Sequence, residues 1–241
     1  MRLDKALVAG GVCRSRTEAQ TLLEAELISV NGKRGLKASA ETALDAVLAR
    51  HDTGPRFVSR GALKLDGALT EFEIDVTGLN ALDVGASTGG FTECLLRRGI
   101  KSVIAVDVGH GQMAPEIAAD PRVQSREGVN ARSLTPADFP HPFGLVVVDV
   151  SFISLSLILP ALAPLLAADG RLVCLVKPQF EVGAAHVGKG GIVRDAKARA
   201  EALERIAGAA HALHLVETGR MVSPIEGSDG NTEFLLRLEK A

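Results

Sequence analysis

The chain has 241 residues and a formal net charge of −2, with 46% apolar residues, 3% aromatic residues, no Trp and no Tyr. That length allows one large domain, or a standard domain with a small one, and the apolar content supplies a proper core. So few rings argue against a protein that stacks bases on aromatic platforms, so any nucleic-acid contact leans on charge and shape.

The charge is unevenly spread. Residues 1–60 carry 10 Lys and Arg against 7 Asp and Glu, and the remainder carries 17 against 22. A basic module on an acidic body suits a polyanionic partner. Cys13, Cys94 and Cys174 have no metal or redox spacing, and an odd count argues against a disulfide framework; reduced thiols in a cytoplasm are expected. Met1 to Gly10 is charged and has no apolar signal core. The most membrane-like run is "LVVVDVSFISLSLILPALAPLLAA" at 145–168, but it holds Asp149, three serines and two prolines. A strand followed by a kinked core helix is predicted there.

Residues 1–49 read as a small α+β unit. "RLDKALVAGG" has helical spacing and stops at two glycines. Ser15 precedes Glu18 by three, a capping-box arrangement, and "RTEAQTLLEAEL" continues as a helix. "ISVNGKR" is a short strand meeting an Asn-Gly turn. Arg14, Arg16, Lys33, Arg34 and Lys37 gather at the helix start and around that turn. The stretch resembles the RNA-binding domain named after ribosomal small-subunit protein four, which implies that these cations meet RNA. Residues 50–58, with a Gly-Pro pair, read as a linker. "SRGALKLDGALTEF" is then helical, with Ser59 as its cap and Arg60 as a further candidate RNA contact.

From residue 59 to 241 the pattern is α/β. Strand-like runs fall at 81–84, 102–108, 123–125, 145–150, 171–176, 213–218 and 232–238, with helices between most of them. Near-continuous apolar strands with helical crossovers predict a mostly parallel seven-stranded sheet covered on both faces. Sites in such sheets lie at the carboxyl ends of strands.

The first strand leads into "LDVGASTGGF". Gly85-Ala86-Ser87-Thr88-Gly89 spells the G-x-S-x-G of a nucleophile elbow, but it follows the first strand and has no upstream oxyanion loop. The histidines at 110, 141, 186, 211 and 214 all come later in the chain. A cofactor turn is the better reading. Asp83 and Gly85 close the strand, Ser87 lies in the turn, and Gly89 and Gly90 open a helix whose free N–H groups favour an acceptor. Asp107 closes the next strand and is placed for a ribose diol. The spacing G-x-x-x-G-G departs from the G-x-G-x-x-G of nicotinamide and flavin sites. Asn130, after the third strand, is a candidate beside the adenine.

Two strands end in ionisable residues after apolar runs: Asp149 in "VVVDVSF" and Lys177 in "LVKPQFE". Such groups are costly to bury unless they face a cleft. Lys64 in "RGALKL" and Glu233 in "GNTEFLL" complete a set of two lysines and two acids. A salt-bridge cluster at the sheet edge would use the same residues. "GAAHVGKGGIVRD", 183–195, is a mobile loop or a phosphate cradle.

"SRGALKL", "LDVGASTGGFT", "VDVG", "VVVDVSFISL", "LVKPQFE" and "NTEF", in that order, resemble the TlyA-type proteins. These are ribosomal RNA 2′-O-methyltransferases with a catalytic domain like that of the FtsJ heat-shock methyltransferase, and some carry the name hemolysin. The resemblance implies a Rossmann-like methyltransferase fold, S-adenosylmethionine as cofactor, and ribosomal RNA in subunits or ribosomes as partner. It implies no metal and no membrane, and a Lys-Asp-Lys-Glu tetrad at Lys64, Asp149, Lys177 and Glu233. A ribose 2′-hydroxyl must lose its proton as it attacks, and a lysine can accept it where a neighbouring cation or desolvation lowers its pKa. Lys177 is the candidate base and Lys64 the neighbouring cation. A noncatalytic RNA-binding protein and a membrane-lytic hemolysin are the competing readings.

Overall fold

The computed structural model describes residues 1–13, 15–51 and 57–241, in two compact units, Met1–Arg56 and Phe57–Ala241. Arg14 and residues 52–56 of the expected linker lie outside the described residues.

The first unit holds α1 (Leu3–Ala9), α2 (Arg16–Glu24), β1 (Ile28–Val30) and β2 (Leu48–Arg50). Leu3, Leu7, Leu22, Leu23, Ile28 and Val30 form its core. The Ser15 hydroxyl accepts the Glu18 amide at 3.1 Å and starts α2. Asn31 and Gly32 both take left-handed backbone, φ +49° and +80°, as a type I′ turn requires. The pairing partner of β1 is distant in sequence: Ile28 faces Arg50 in antiparallel register, and the His51 amide donates to the Leu27 carbonyl at 2.8 Å. Arg50 and His51 are therefore tied into the first unit.

The second unit contains α3 (Gly61–Glu71), β3 (Asn80–Val84), α4 (Gly90–Arg97), β4 (Ser102–Val106), α5 (Pro115–Ala118), β5 (Val123–Arg126), β6 (Phe143–Val148), α6 (Leu159–Leu162), β7 (Leu166–Val176), α7 (Pro178–Glu181), α8 (Ala196–His211), β8 (Leu215–Val222) and β9 (Phe234–Lys240). The seven strands β3 to β9 form one sheet in the order β5-β4-β3-β6-β7-β9-β8. Only β9 runs against the others, pairing antiparallel with β7 and β8. The sheet reverses direction of growth at β3, which pairs with β4 on one side and β6 on the other.

Alternation along the strands splits the core into two layers. Leu82, Val84, Val146, Val148, Leu172 and Cys174 face the layer that includes α6 and α8 residues. Ala81, Leu145, Val147, Val173 and Leu175 face the layer of α3 and α4.

The run 145–168 corrects the expectation of a kinked core helix. After β6 it makes short turns at 155–157, 159–162 and 163–165, then enters β7. Pro160 and Pro164 each stand in the first turn of a new segment, where proline is tolerated, rather than inside one long helix. Ser59 also differs from expectation: Arg60 is the N-cap of α3 and no side chain caps it.

Candidate active site

The carboxyl ends of the parallel strands and the amino end of β9 share one edge, because Val84 pairs with Val148, Val148 with Cys174, and Val176 with Phe234. Gly85, Asp107, Asp149 and Lys177 follow β3, β4, β6 and β7, and Glu233 precedes β9. Strand order alone thus gathers residues that are far apart in sequence.

The four charged residues meet as two pairs. Lys64, in the first turn of α3, reaches Glu233 Oε2 at 2.5 Å; both side chains are buried, at 10% and 3% exposure. Lys177 Nζ lies 2.6 Å from Asp149 Oδ1 and donates to Ser151 Oγ at 2.8 Å. The pairs are adjacent through α3: a Cβ on Gly61 would stand 3.6 Å from Asp149 Oδ2.

Beside them lies the glycine turn. Gly85 has φ +85° and Gly89 has φ +92°. A Cβ on Gly90 would stand 2.0 Å from the Ser59 hydroxyl and 3.2 Å from the Ala62 amide nitrogen, so a larger residue there would have to displace the Ser59 side chain and press on the start of α3. Ser87 is exposed, with φ +46°. Its amide donates to Asp107 Oδ2 at 2.8 Å, and the Gly109 amide donates to Asp107 Oδ1 at 2.7 Å. Two amides thus fix the half-buried Asp107 carboxylate, and each of its oxygens keeps capacity to accept a further hydrogen bond.

Asp83 points from β3 toward α4 and is fully buried. Its Oδ2 accepts the Thr92 hydroxyl at 2.6 Å, while Oδ1 has no partner. Burial pushes its pKa up to about 7, against the Thr92 bond, which works the other way. Asn130 is exposed and uses its side-chain oxygen locally, accepting the Arg132 amide at 3.0 Å.

The cations read as RNA contacts divide. Lys33, Arg34 and Lys37 are exposed. Arg16 is half exposed, but its guanidinium donates to the buried Asp4 at 2.8 and 3.0 Å. Hydrogen bonds from Arg2 and Arg16 hold the Asp4 carboxyl well below its usual range. Arg60, also exposed, donates to the Glu226 carbonyl at 2.8 Å.

Several residues escaped the sequence reading. Ser151 holds Lys177 from two positions past Asp149. Phe152 has φ +64° and is 90% exposed, with its ring centroid 5.0 Å from that of Phe180. Both rings line an open hollow of about 570 Å³ with Arg132, Ile153, Ser154 and Leu157. Glu181 anchors this loop, accepting the Ser154 hydroxyl at 2.6 Å and the Leu155 amide at 2.9 Å. The only local signal was sequence adjacency to Asp149 and Lys177.

Among the described residues no group of three or more His, Cys, Asp or Glu could hold a metal ion, and no helix is long and apolar enough to cross a membrane. Residues 57–240 match the FtsJ-like methyltransferase model and residues 1–39 match the S4 domain. The chain is 46% identical over 238 residues to the 16S/23S rRNA (cytidine-2′-O)-methyltransferase TlyA of Mycobacterium tuberculosis, covering 98% of this chain and 89% of that protein. It is 39% identical to Hemolysin A of Brachyspira hyodysenteriae, covering 98% of each. A solved Streptococcus thermophilus structure, also bearing the name hemolysin, superposes with a TM-score of 0.81 at 40% identity, covering 100% of this chain and 88% of the other. The chain therefore belongs to the FtsJ-like methyltransferase family, among its TlyA-type members, and carries an S4 domain ahead of the methyltransferase domain.

Proposed function

We propose that this protein transfers a methyl group from S-adenosylmethionine to the 2′-hydroxyl of a cytidine in ribosomal RNA, within ribosomal subunits or ribosomes. The observation that carries the reading is the pair of buried or half-buried lysine–carboxylate contacts, Lys64–Glu233 and Lys177–Asp149, at the strand ends beside the glycine turn.

The turn suits the cofactor. Asp107 presents a fixed carboxylate to a ribose diol, Gly85, Gly89 and Gly90 let backbone approach closely, and Asp83 has an unpartnered oxygen beneath them. Ser87 serves as backbone in this turn and not as a nucleophile. Asn130 is the candidate for the adenine, through its side-chain amide nitrogen, since its oxygen accepts the Arg132 amide. The cofactor supplies an electrophilic sulfonium methyl.

The protein supplies proton handling and position. Lys177 Nζ accepts the proton from the 2′-hydroxyl; the O–H bond breaks and an N–H bond forms. Asp149 and Ser151 fix the amine and stabilise the resulting ammonium. Lys64, anchored by Glu233, is the cation for a phosphate or hydroxyl oxygen of the target nucleotide. Holding the hydroxyl in line accounts for much of the rate. Phe152 and Phe180 offer ring faces beside Asp149 and Lys177 for an unstacked base. Arg14, Arg16, Lys33, Arg34, Lys37 and Arg60 supply charge for the RNA backbone, with Arg16 and Arg60 also bonded within the protein.

The test is incubation with labelled S-adenosylmethionine and ribosomal subunits lacking the modification, followed by nuclease mapping. Label on a cytidine ribose supports the reading. Cofactor binding without any label favours a noncatalytic RNA-binding protein.

A further inference from the structure

Asn231 is 1% exposed and sits two residues before Glu233. Its side chain grips a distant segment at two points. Oδ1 accepts the Val193 amide at 2.9 Å, and Nδ2 donates to the Gly191 carbonyl at 2.9 Å. Its own carbonyl accepts the Gly227 amide at 2.9 Å. One side chain therefore joins the Glu233 loop to the glycine-rich stretch that begins six residues past Lys177. Gly227 is itself packed on Glu233, since a Cβ there would stand 2.5 Å from Oε1.

The gripped segment is otherwise lightly held. Gly190 and Gly191 both have left-handed backbone, φ +79° and +77°. Val193 is its buried anchor, packed with Val182, Ala198 and Ala202. Lys189 and Arg194 stand exposed on either side of the two glycines, and neither has an ion-pair or hydrogen-bond partner among the described residues. Exposed cations on a short, glycine-bearing strap suit a phosphate backbone.

We propose that Asn231 is a positioning residue that fixes the 188–194 segment beside the Lys64–Glu233 pair, so that Lys189 and Arg194 hold the RNA backbone next to the target nucleotide. This rests on the reading of the protein as an RNA methyltransferase. Asn231 touches no reacting atom. It acts through the strap, and a planar amide is the group that can accept from one strap residue and donate to another.

A double-mutant cycle tests it with ribosomal subunits lacking the methylation, using both binding affinity and turnover. Asn231→Ala should weaken subunit binding and raise the KM for subunits about tenfold, with S-adenosylmethionine affinity and kcat nearly unchanged. Lys189→Ala/Arg194→Ala, a surface change, should do the same and lower the slope of log affinity against log salt by about 1.5, as expected for two lost phosphate contacts on mixed RNA. Combining the three should add little, because the cations are already misplaced. If Asn231→Ala fails to fold, Gly191→Ala replaces it: its new methyl meets nothing within 4 Å, but φ +77° strains the strap. Additive losses, or a lost cofactor affinity with unchanged KM, overturn the proposal. Parent protein that binds subunits but leaves them unlabelled overturns the methyltransferase reading, while the binding cycle still decides the role of Asn231.

Discussion

Gly85 lies against the main-chain carbonyl of Asp149, so that a Cβ on Gly85 would stand 2.2 Å from that oxygen. The Asp149 amide in turn donates to the Val84 carbonyl at 2.9 Å. The turn proposed for the cofactor and the carboxylate proposed to hold the base are thus set by one backbone contact. Gly85→Ala combines a clash with backbone at φ +85°. It should cost about 3 kcal/mol or more, lowering Tm by about 6–12 °C, and weaken both cofactor binding and turnover. Gly111→Ala is the control. Its φ is +64°, with nothing within 4 Å of the new methyl, so only about 1 kcal/mol should be lost. Equal thermal shifts for the two variants would refute the argument from close approach.

Lys64 and Glu233 form a buried pair, and removing one partner strands a charge. Lys64→Met or Glu233→Leu alone should cost about 3–5 kcal/mol, while the double variant should approach parental stability and remain inactive. Denaturant unfolding of all four proteins gives the coupling directly. Additive losses would mean that the two charges do not compensate each other in the folded state.

Lys177→Ala should lower single-turnover methylation at least about a hundredfold, the low end for a positioned base, and spare cofactor affinity. Lys177→Arg should not rescue it, because guanidinium stays protonated. A near-parental rate for the arginine variant would show that the position supplies charge alone.

Much of this arrangement was legible in the chain. Apolar runs of strand length separated by helical spacing gave the sheet, and the polar residues ending those runs gave Asp107, Asp149 and Lys177. The reading weakened where a long-range contact decides the local outcome. The register that inserts β9 antiparallel between β7 and β8 leaves no mark in either strand. Arg16 and Arg60 read as surface cations because Asp4 and the Glu226 carbonyl, their partners, are chosen only by folding. Asn231 carried no signal of its own in the sequence, since the two backbone groups it satisfies lie about forty residues away. The helix expected after Asp149 failed because two prolines each begin a turn, and the period of apolar residues does not register that.

Asp83 should give the protein a distinctive pH dependence. Its folded pKa of about 7 is raised by burial above its ordinary value of 3.8. Between those values the folded state keeps a proton that the unfolded chain releases, so this group's contribution to stability falls as pH rises from about 4 to about 7 and then levels off. Asp83→Asn removes that slope. The stability of the variant relative to the parent should therefore increase across this range in urea titrations at several pH values. A difference that stays flat from pH 4 to 8 would place the Asp83 pKa near its unfolded value.

Phe152 offers a trade between strain and function. It holds φ +64° with 90% of its surface exposed, a backbone state that costs about 1–3 kcal/mol for a non-glycine residue. The ring recovers little by burial, since Phe180 touches it from one side only, at a centroid distance of 5.0 Å. The conformation is imposed by the flanking anchors: Ser151 bonds Lys177, and Ser154 and Leu155 bond Glu181. Such strain at an exposed ring beside Asp149 fits a surface kept for stacking. Phe152→Gly should therefore raise stability by about 1 kcal/mol while weakening subunit binding or turnover about fivefold to a hundredfold, the range for losing one base–aromatic stack. Phe152→Leu keeps the strain and removes the ring, so it should lose function without gaining stability. Thermal unfolding and single-turnover methylation of both variants separate the two effects. Parental methylation by Phe152→Leu would show that no base stacks there.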